Sequence, residues 1–187
     1  GPGGKYPPTV TWSDQLTAPL RETSGWLSKT GQRQVALSGG YRISTGLLLG
    51  WCFRSAIGFE LEVPTKEGAW RTDARGQHSV PGLSVAQASE LANGVLNVSV
   101  GILRDPSTTL AQAGLRAEQV LRINLSGPVT SAEMTQALVG QVRSAVSQAV
   151  GCLQPGAIHM YFAGPAVVAV ALGHRWNAMP RTQLHEF

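Results

Sequence analysis

His159-Met160-Tyr161-Phe162-Ala163-Gly164-Pro165, continued by Ala166-Val167-Val168-Ala169-Val170-Ala171-Leu172-Gly173, decides how the chain is read. The apolar run over 158–162 has the length of a strand, Ala163-Gly164-Pro165 breaks it, and 166–176 follows as an apolar helix through Leu172-Gly173. An earlier stretch has the same plan. Val35-Ala36-Leu37 is the apolar run, Ser38-Gly39-Gly40-Tyr41-Arg42 the turn, and 43–53 a helix through Leu49-Gly50-Trp51. The echo points to an internal duplication, with halves over 32–105 and 106–187, although any two strand-turn-helix units share this much.

Between these units the pattern alternates with period two. Ile57, Phe59, Leu61 and Val63 face one way and Gly58, Glu60 and Glu62 the other; a turn over 64–68 then returns the chain through Ala69-Trp70-Arg71-Thr72 as a hairpin. Leu96, Val98, Val100 and Ile102 alternate with Asn97, Ser99 and Gly101, a strand with one buried face. Leu121, Ile123 and Leu125 alternate with Arg122 and Asn124 and end in Ser126-Gly127-Pro128. Ser84 and Gln87 have capping-box spacing and predict a short helix that stops at Asn93-Gly94. Thr130 and Glu133 predict the cap of a long helix with the stripe Met134, Leu138, Val142, Val146 and Val150. A helix over 13–31, broken near Pro19 and anchored by Trp26 and Leu27, precedes all of this, and a strand over 182–187 closes it. Strands alternating with helices predict an α/β domain, its mainly parallel sheet covered by helices on both faces.

Composition narrows the function. The 187 residues are 43% hydrophobic but only 14% charged, well below the roughly 25% of ordinary domains, which argues against disorder or a coiled coil. The net charge of +4 is spread over isolated arginines rather than a basic element, so binding along duplex DNA is disfavoured. No apolar run approaches the roughly 20 residues of a membrane span. Cys52 and Cys152 stand alone, outside any zinc-ligand spacing, which predicts a reduced, cytoplasmic protein without a metal site. Gly1-Pro2-Gly3-Gly4 reads as a cleavage remnant or linker ahead of a domain over 5–187.

In open α/β sheets a ligand sits beyond the carboxyl ends of the strands. Three such ends consist of small residues: Ser38-Gly39-Gly40, Ser126-Gly127-Pro128 and Ala163-Gly164-Pro165. Glycine admits close backbone approach, and the N–H groups at the following helix start attract phosphate; the same glycines also serve turns that bind nothing. Neither a dinucleotide-type glycine fingerprint nor a P-loop occurs, and no G-x-S-x-G elbow surrounds Ser38 or Ser126. His159 lies in an apolar strand and reads as a core residue, while His174 and His185 lack partners at ligand spacing. The chain therefore reads as a binder without catalytic residues. Trp70 or Tyr41 can stack a base, and Arg42 and Arg71 can hold phosphate; the alternatives are a strand-end core residue for Trp70 and solvated charges for the arginines. Trp26, Trp51 and Trp176 fall among apolar helical positions and are assigned to packing.

These residues resemble a SAVED domain. The resemblance rests on the run from Leu37-Ser38-Gly39-Gly40-Tyr41-Arg42 to Leu49-Gly50-Trp51, on Ala69-Trp70-Arg71-Thr72-Asp73, and on Met160-Tyr161-Phe162-Ala163-Gly164-Pro165 through Leu172-Gly173 to Gln183-Leu184-His185-Glu186-Phe187. His185 departs from it, standing where an aromatic residue is expected. The resemblance implies two fused CARF-like, Rossmann-like halves. It also implies a bacterial sensor of cyclic di- or oligonucleotides made by CD-NTase enzymes in CBASS anti-phage defence. Such sensors self-associate on binding and activate a fused effector, for instance an HNH nuclease. Carried onto this chain, the ligand, a cyclic di- or trinucleotide, would meet Ser38, Gly39, Gly40, Tyr41, Arg42, Trp70, Arg71, Thr72, Ser126, Gly127, Phe162, Ala163, Gly164 and Pro165. No cofactor, metal, membrane or direct DNA contact is implied. The alternatives are a ring-nuclease-like enzyme that cleaves such ligands and a purely structural oligomerisation module.

Overall fold

A computed structural model describes residues 12–66, 68–75, 79–102 and 104–186; Gly1-Pro2-Gly3-Gly4 and Phe187 lie outside them. A π-helical turn at Trp12–Thr17 leads into helix α1 (Ala18–Lys29), with Pro19 in the first turn, where its missing N–H is no loss. Leu20 and Leu27, seven positions apart, form the packed side of α1, and Ser24 Oγ donates to the Cys52 carbonyl oxygen at 2.7 Å. Trp26 departs from its assignment to packing. It falls off the Leu20/Leu27 stripe and is 63% exposed.

Strand β1 (Gln34–Ala36), helix α2 (Ile43–Cys52) and the hairpin of β2 (Glu60–Thr65) and β3 (Gly68–Arg71) make the first unit. Its three-stranded sheet has the order β1-β2-β3, the first pair parallel and the second antiparallel. Phe59, Leu61 and Val63 are buried as the alternation requires. Ile57 is exposed instead, because a 3-10 turn at Ser55–Ile57 takes it out of the strand period.

The second unit runs β4 (Leu83–Ala86), β5 (Val95–Ile102), α3 (Ser107–Gln112), β6 (Val120–Leu125), α4 (Ala132–Leu153), β7 (Ala157–Ala163), α5 (Ala166–Arg175) and β8 (Arg181–Glu186). Its five strands lie in the order β4-β6-β5-β7-β8, and every neighbouring pair except β4/β6 is parallel. The α/β class with a mainly parallel sheet is therefore as expected. The change of sheet falls between Arg71 and Leu83, so β5 belongs to the larger sheet and the division at 105/106 does not coincide with it.

Two local expectations give way to tertiary pairing. The helix predicted from Ser84 and Gln87 is the strand β4, because Leu83 and Val85 pair with Leu125 and Ile123 of β6, a ladder that outweighs cap spacing. The cap of α4 is Ser131 rather than Thr130; its Oγ accepts from the Met134 N–H at 3.1 Å. Strand β5 is buried on both sides, not one. It is the central strand, and Asn97 and Ser99 are shut in with polar neighbours such as Tyr161, whose Oη donates to Asn97 Oδ1.

The core explains the layering. Leu96, Val98 and Val100 share one sheet face with Leu121, Ile123, Ile158, Met160 and Phe162, and α4 and α5 pack onto it through Leu138, Val142, Val146, Val168 and Leu172. The opposite face carries Asn97, Ser99, Arg122, Asn124, His159, Tyr161 and His185. Helix α5 has no polar side until its last turn, so it can only be central. It fills that place: Val170 joins the second cluster, with Phe53, Phe59, Leu61 and Val63 of the first unit.

Helices α2 and α5 meet backbone to backbone. A Cβ on Gly50 would lie 2.0 Å from the Val170 carbonyl oxygen, and one on Gly173 would lie 2.1 Å from that of Leu47. The echoed Leu-Gly pairs are thus the contact itself, one glycine from each helix. Gly46 approaches Ala166 and Gly50 approaches Val170 and His174, so the two helices run in the same direction.

His174 sits at this junction, 2% exposed, its Nδ1–H donating to the Phe53 carbonyl oxygen at 2.6 Å. Burial pulls its pKa from 6.5 down to about 4, against the opposing effect of that hydrogen bond.

Two outcomes follow for stability. Gly173→Ala forces a methyl group into the Leu47 carbonyl, and should lower the urea midpoint by an amount equivalent to about 1–3 kcal/mol or more; an unchanged midpoint contradicts the packing. Because the folded-state pKa of His174 lies below its unfolded value, the unfolded chain takes up the proton first, and stability falls as pH drops from about 6.5 towards about 4. Urea titrations at pH 7 and pH 4.5 should show this loss in the wild type and a smaller one in His174→Gln; equal losses would remove His174 from the account.

Candidate ligand-binding edge

The parallel run of α2 and α5 fixes the geometry of the two glycine loops. The turn of residues 38–42 leads into α2 and the turn of residues 163–165 into α5, so both lie at the same end of the helix pair, beyond the carboxyl end of β7. Ser38, Gly39, Gly40 and Arg42 are exposed there, and Gly39 has a φ of +84°, which only glycine adopts without strain. Arg42 is the extended N-cap residue of α2. Tyr41 is half-buried against Gly46, and burial raises its phenol above the usual range.

Other predicted positions have structural work to do. Gly164 is a packing glycine: a Cβ there would lie 2.8 Å from Ile102 Cδ1 at the end of β5. Phe162 is fully buried and Ala163 nearly so, which leaves Pro165 as the exposed member of that turn. The Phe162 ring lies in the core, so it has no face for a base.

Trp70, Arg71 and Thr72 border a narrow crevice with Thr135 and Gln136 of α4 and Val167 and Ala171 of α5. Trp70 is paired with Val63 across the hairpin and seats the small sheet on the helices. Arg71 is exposed and ion-paired with Asp73 at 2.9 Å and Glu60 at 3.3 Å; hydrogen bonding and charge from Asp73 raise its pKa further. Thr72 is buried, its Oγ1 accepting from the Leu61 N–H at 2.8 Å. Ser126 and Gly127 end β6, separated from β7 by β5, so they stand roughly 10 Å from the 163–165 turn. Ser126 Oγ donates to the Gly82 carbonyl oxygen at 3.4 Å. The edge thus joins residues 38–42 to 163–165 closely, 126–127 at a distance, and uses Thr72 and Phe162 for the fold.

Sequence reasoning missed a large cavity. It has a volume of about 870 Å³ and lies along α2 and β8, where Leu47, Trp51, Trp176 and Leu184 form apolar walls. Ser44, Arg54, Arg181, His185 and Glu186 add polar groups. None of the predicted site residues lines it. Trp51 and Trp176 had been given to packing, and both do pack, Trp176 donating its indole N–H to Thr182 Oγ1 at 2.9 Å. The only sequence signal was that each tryptophan comes shortly after a Leu-Gly pair, Leu49-Gly50 and Leu172-Gly173. At one end of the cavity the Ser44 N–H donates to the Glu186 carboxylate, so the edge of β8 is tied to the start of α2.

The histidines exchange their expected roles. His159, read as a core residue, is half-exposed on the polar sheet face, since the strand period turns it away from Ile158 and Met160. His174 is the buried one. His185 stacks on Tyr161 with ring centroids 4.6 Å apart, and burial, then the neighbouring His159, lowers its pKa. Among the described residues no three His, Cys, Asp or Glu side chains gather as a metal site would require, and no helix is long and apolar enough to cross a membrane.

Comparison with known proteins agrees with this architecture. CD-NTase-associated protein 4 of Moraxella osloensis is 25% identical over 163 residues, and its counterpart in Acinetobacter sp. (strain ATCC 27244 / 9458) 24%; each match covers 83% of this chain but 34% of the relative. The chain therefore spans about a third of the length of these relatives. Among solved structures, the Acinetobacter baumannii Cap4 SAVED/CARF-domain containing receptor with the cyclic trinucleotide 2′3′3′-cAAA superposes with a TM-score of 0.84 at 21% identity, over 98% of this chain and 42% of that one. The Moraxella osloensis Cap4 receptor superposes with a TM-score of 0.79 at 23% identity, over 96% and 40%. The model of the SMODS-associated and fused to various effectors sensor domain matches residues 19–187, and with nearly all of its described fold inside that match the chain belongs to the SAVED family.

Proposed function

We propose that this chain is the sensing part of a larger defence protein and binds a cyclic di- or trinucleotide at the edge where α2 and α5 begin. The observation that carries the reading is the side-by-side start of two parallel helices, one behind the exposed turn of residues 38–40 with Arg42 at the cap and the other behind Pro165. Helix starts carry the positive end of the helix dipole, and with the Ser44 N–H already bonded to Glu186, two starts side by side still suit a ligand that carries several phosphates on one ring. Membership of a sensor family supports the same class of ligand, as does the cyclic trinucleotide held by the A. baumannii receptor.

In this reading the chain has no catalytic task. Ligand binding drives self-association, and the effector, a nuclease in the favoured version, lies in another part of the full-length protein. Arg42 and the backbone of residues 38–40 hold phosphate, and Tyr41 offers its ring to a base. Arg71 is neutralised by two carboxylates, Asp73 and Glu60.

Calorimetry with a panel of cyclic di- and trinucleotides, 2′3′3′-cAAA included, tests this directly. At least one member should bind at micromolar concentration or tighter, and Arg42→Ala should weaken it about tenfold, the scale of one lost charge-assisted hydrogen bond. The bound ligand should be recovered intact, and light scattering should show a rise in mass on its addition. Linear products would make the chain a ring nuclease. Mass growth with protein concentration alone, without heat from any ligand, would make it an oligomerisation module.

A further inference from the structure

Strand β8 is an edge of the five-stranded sheet: β7 pairs with one side of it, and among the described residues no strand pairs with the other. Such an edge presents a row of outward N–H and C=O groups, a template for a further strand. The cavity of about 870 Å³ runs beside this row. Arg181, Thr182, Leu184, His185 and Glu186 all border it, although successive residues of a strand point to opposite faces. His185 turns to the polar face, stacked on Tyr161, so it meets the cavity through its backbone. The wall that β8 contributes is therefore its free backbone edge, together with the side chains of Thr182 and Leu184.

The two faces of β8 differ in chemistry. On the side of Thr182 and Leu184 the cavity walls are Leu47 and Trp51 of α2 and Trp176, just beyond α5. On the other side Arg181, Gln183 and His185 continue the polar face of the sheet. A strand laid along this edge alternates in the same way, one set of side chains over apolar walls and the other beside Arg181. Charge selects the second set. The tie from the Ser44 N–H to Glu186 sets the start of α2 against the end of β8, so Arg54, just beyond α2, and Arg181, at the start of β8, lie towards the same end of the cavity. Neither takes part in a described ion pair: Arg181 is exposed, and Arg54 lies over the Trp51 ring, 5.1 Å from its centroid. That end of the edge attracts a carboxylate.

We propose that the β8 edge takes up an extended segment of a partner protein in which apolar and acidic residues alternate. Its backbone pairs with β8, its apolar side chains fill the cavity against Leu47, Trp51 and Trp176, and a carboxylate meets Arg181. Binding there requires no cyclic nucleotide.

The probe is a fluorescein-labelled, C-terminally amidated hexapeptide alternating leucine and glutamate, followed by fluorescence anisotropy and by nitrogen-15 NMR spectra of the whole chain. Saturable binding should slow the exchange of backbone N–H groups in β8 and shift the indole N–H signals of Trp51 and Trp176. Lysine in place of glutamate in the peptide should weaken binding about tenfold, and Arg181→Glu, at an exposed position, should reverse that preference, since opposite charges on adjacent strands attract and like charges repel. A fully N-methylated version of the probe, which has no backbone donors for the edge, should not bind. No binding at about 1 mM probe overturns the proposal, as do equal affinity for the lysine peptide, retained binding of the N-methylated one, or an Arg181→Glu variant with the wild-type preference. Indole shifts without protection of β8 would mean an apolar guest that adds no strand, and protection of β8 that grows with protein concentration in the absence of peptide would give the edge to a second copy of the chain. Either result overturns the proposal as well.

Discussion

The backbone contact between α2 and α5 is the constraint on which the rest of the molecule depends. Gly50 and Gly173 leave no room for a Cβ, so each helix presses its peptide groups against the other without an intervening side chain. This contact joins a small sheet to a large one. Val170 points into the cluster of Phe59, Leu61 and Val63, while Val168 and Leu172 point into the cluster under the five-stranded sheet. His174, buried and neutral, closes the far end of the junction through Phe53. The parallel direction of the two helices then brings both N-termini out together at one edge.

The same contact links the edge to the cavity. Helix α2 carries Arg42 and the glycine turn at its start, Ser44 as its second residue, and Trp51 near its end. Glu186, from the last residue pair of β7 and β8, reaches the Ser44 N–H and so places a protein carboxylate at a helix start suited to a ligand anion.

Much of this was legible in the sequence, for reasons that can be named. Strict alternation marked β2 and β6 because one-sided burial enforces period two, and β5 because its apolar and small polar residues face opposite sides of the sheet, while the apolar run over 166–176 marked a helix. The Leu-Gly echo was visible, but its meaning was not: sequence similarity between two helices does not say that they touch. The strand β4 was hidden by Ser84 and Gln87, whose spacing imitates a cap while the deciding partners, Leu125 and Ile123, lie about forty residues away. Trp26 was misassigned because hydrophobicity alone does not fix which side of a helix faces inward. The turns of residues 38–40 and 163–165 stood out through their glycines, and the structure places them at one end of the helix pair. Phe162 and Thr72 were not separable from ligand-facing positions, since burial depends on neighbours from other elements. The cavity left no local mark, because its walls come from an apolar helix and an edge strand that read as ordinary structure.

The central claim is that the parallel start of α2 and α5 is where this sensor meets its ligand. Hydrogen exchange of the whole chain, with and without a saturating cyclic trinucleotide, measures this most directly. The account predicts slowed exchange in residues 38–46, in the turn after Ala163 and along β8, with α4 and the polar face of the large sheet unaffected. Protection confined to β4, β6 and the 126–127 turn, with the start of α2 exchanging as before, would contradict it.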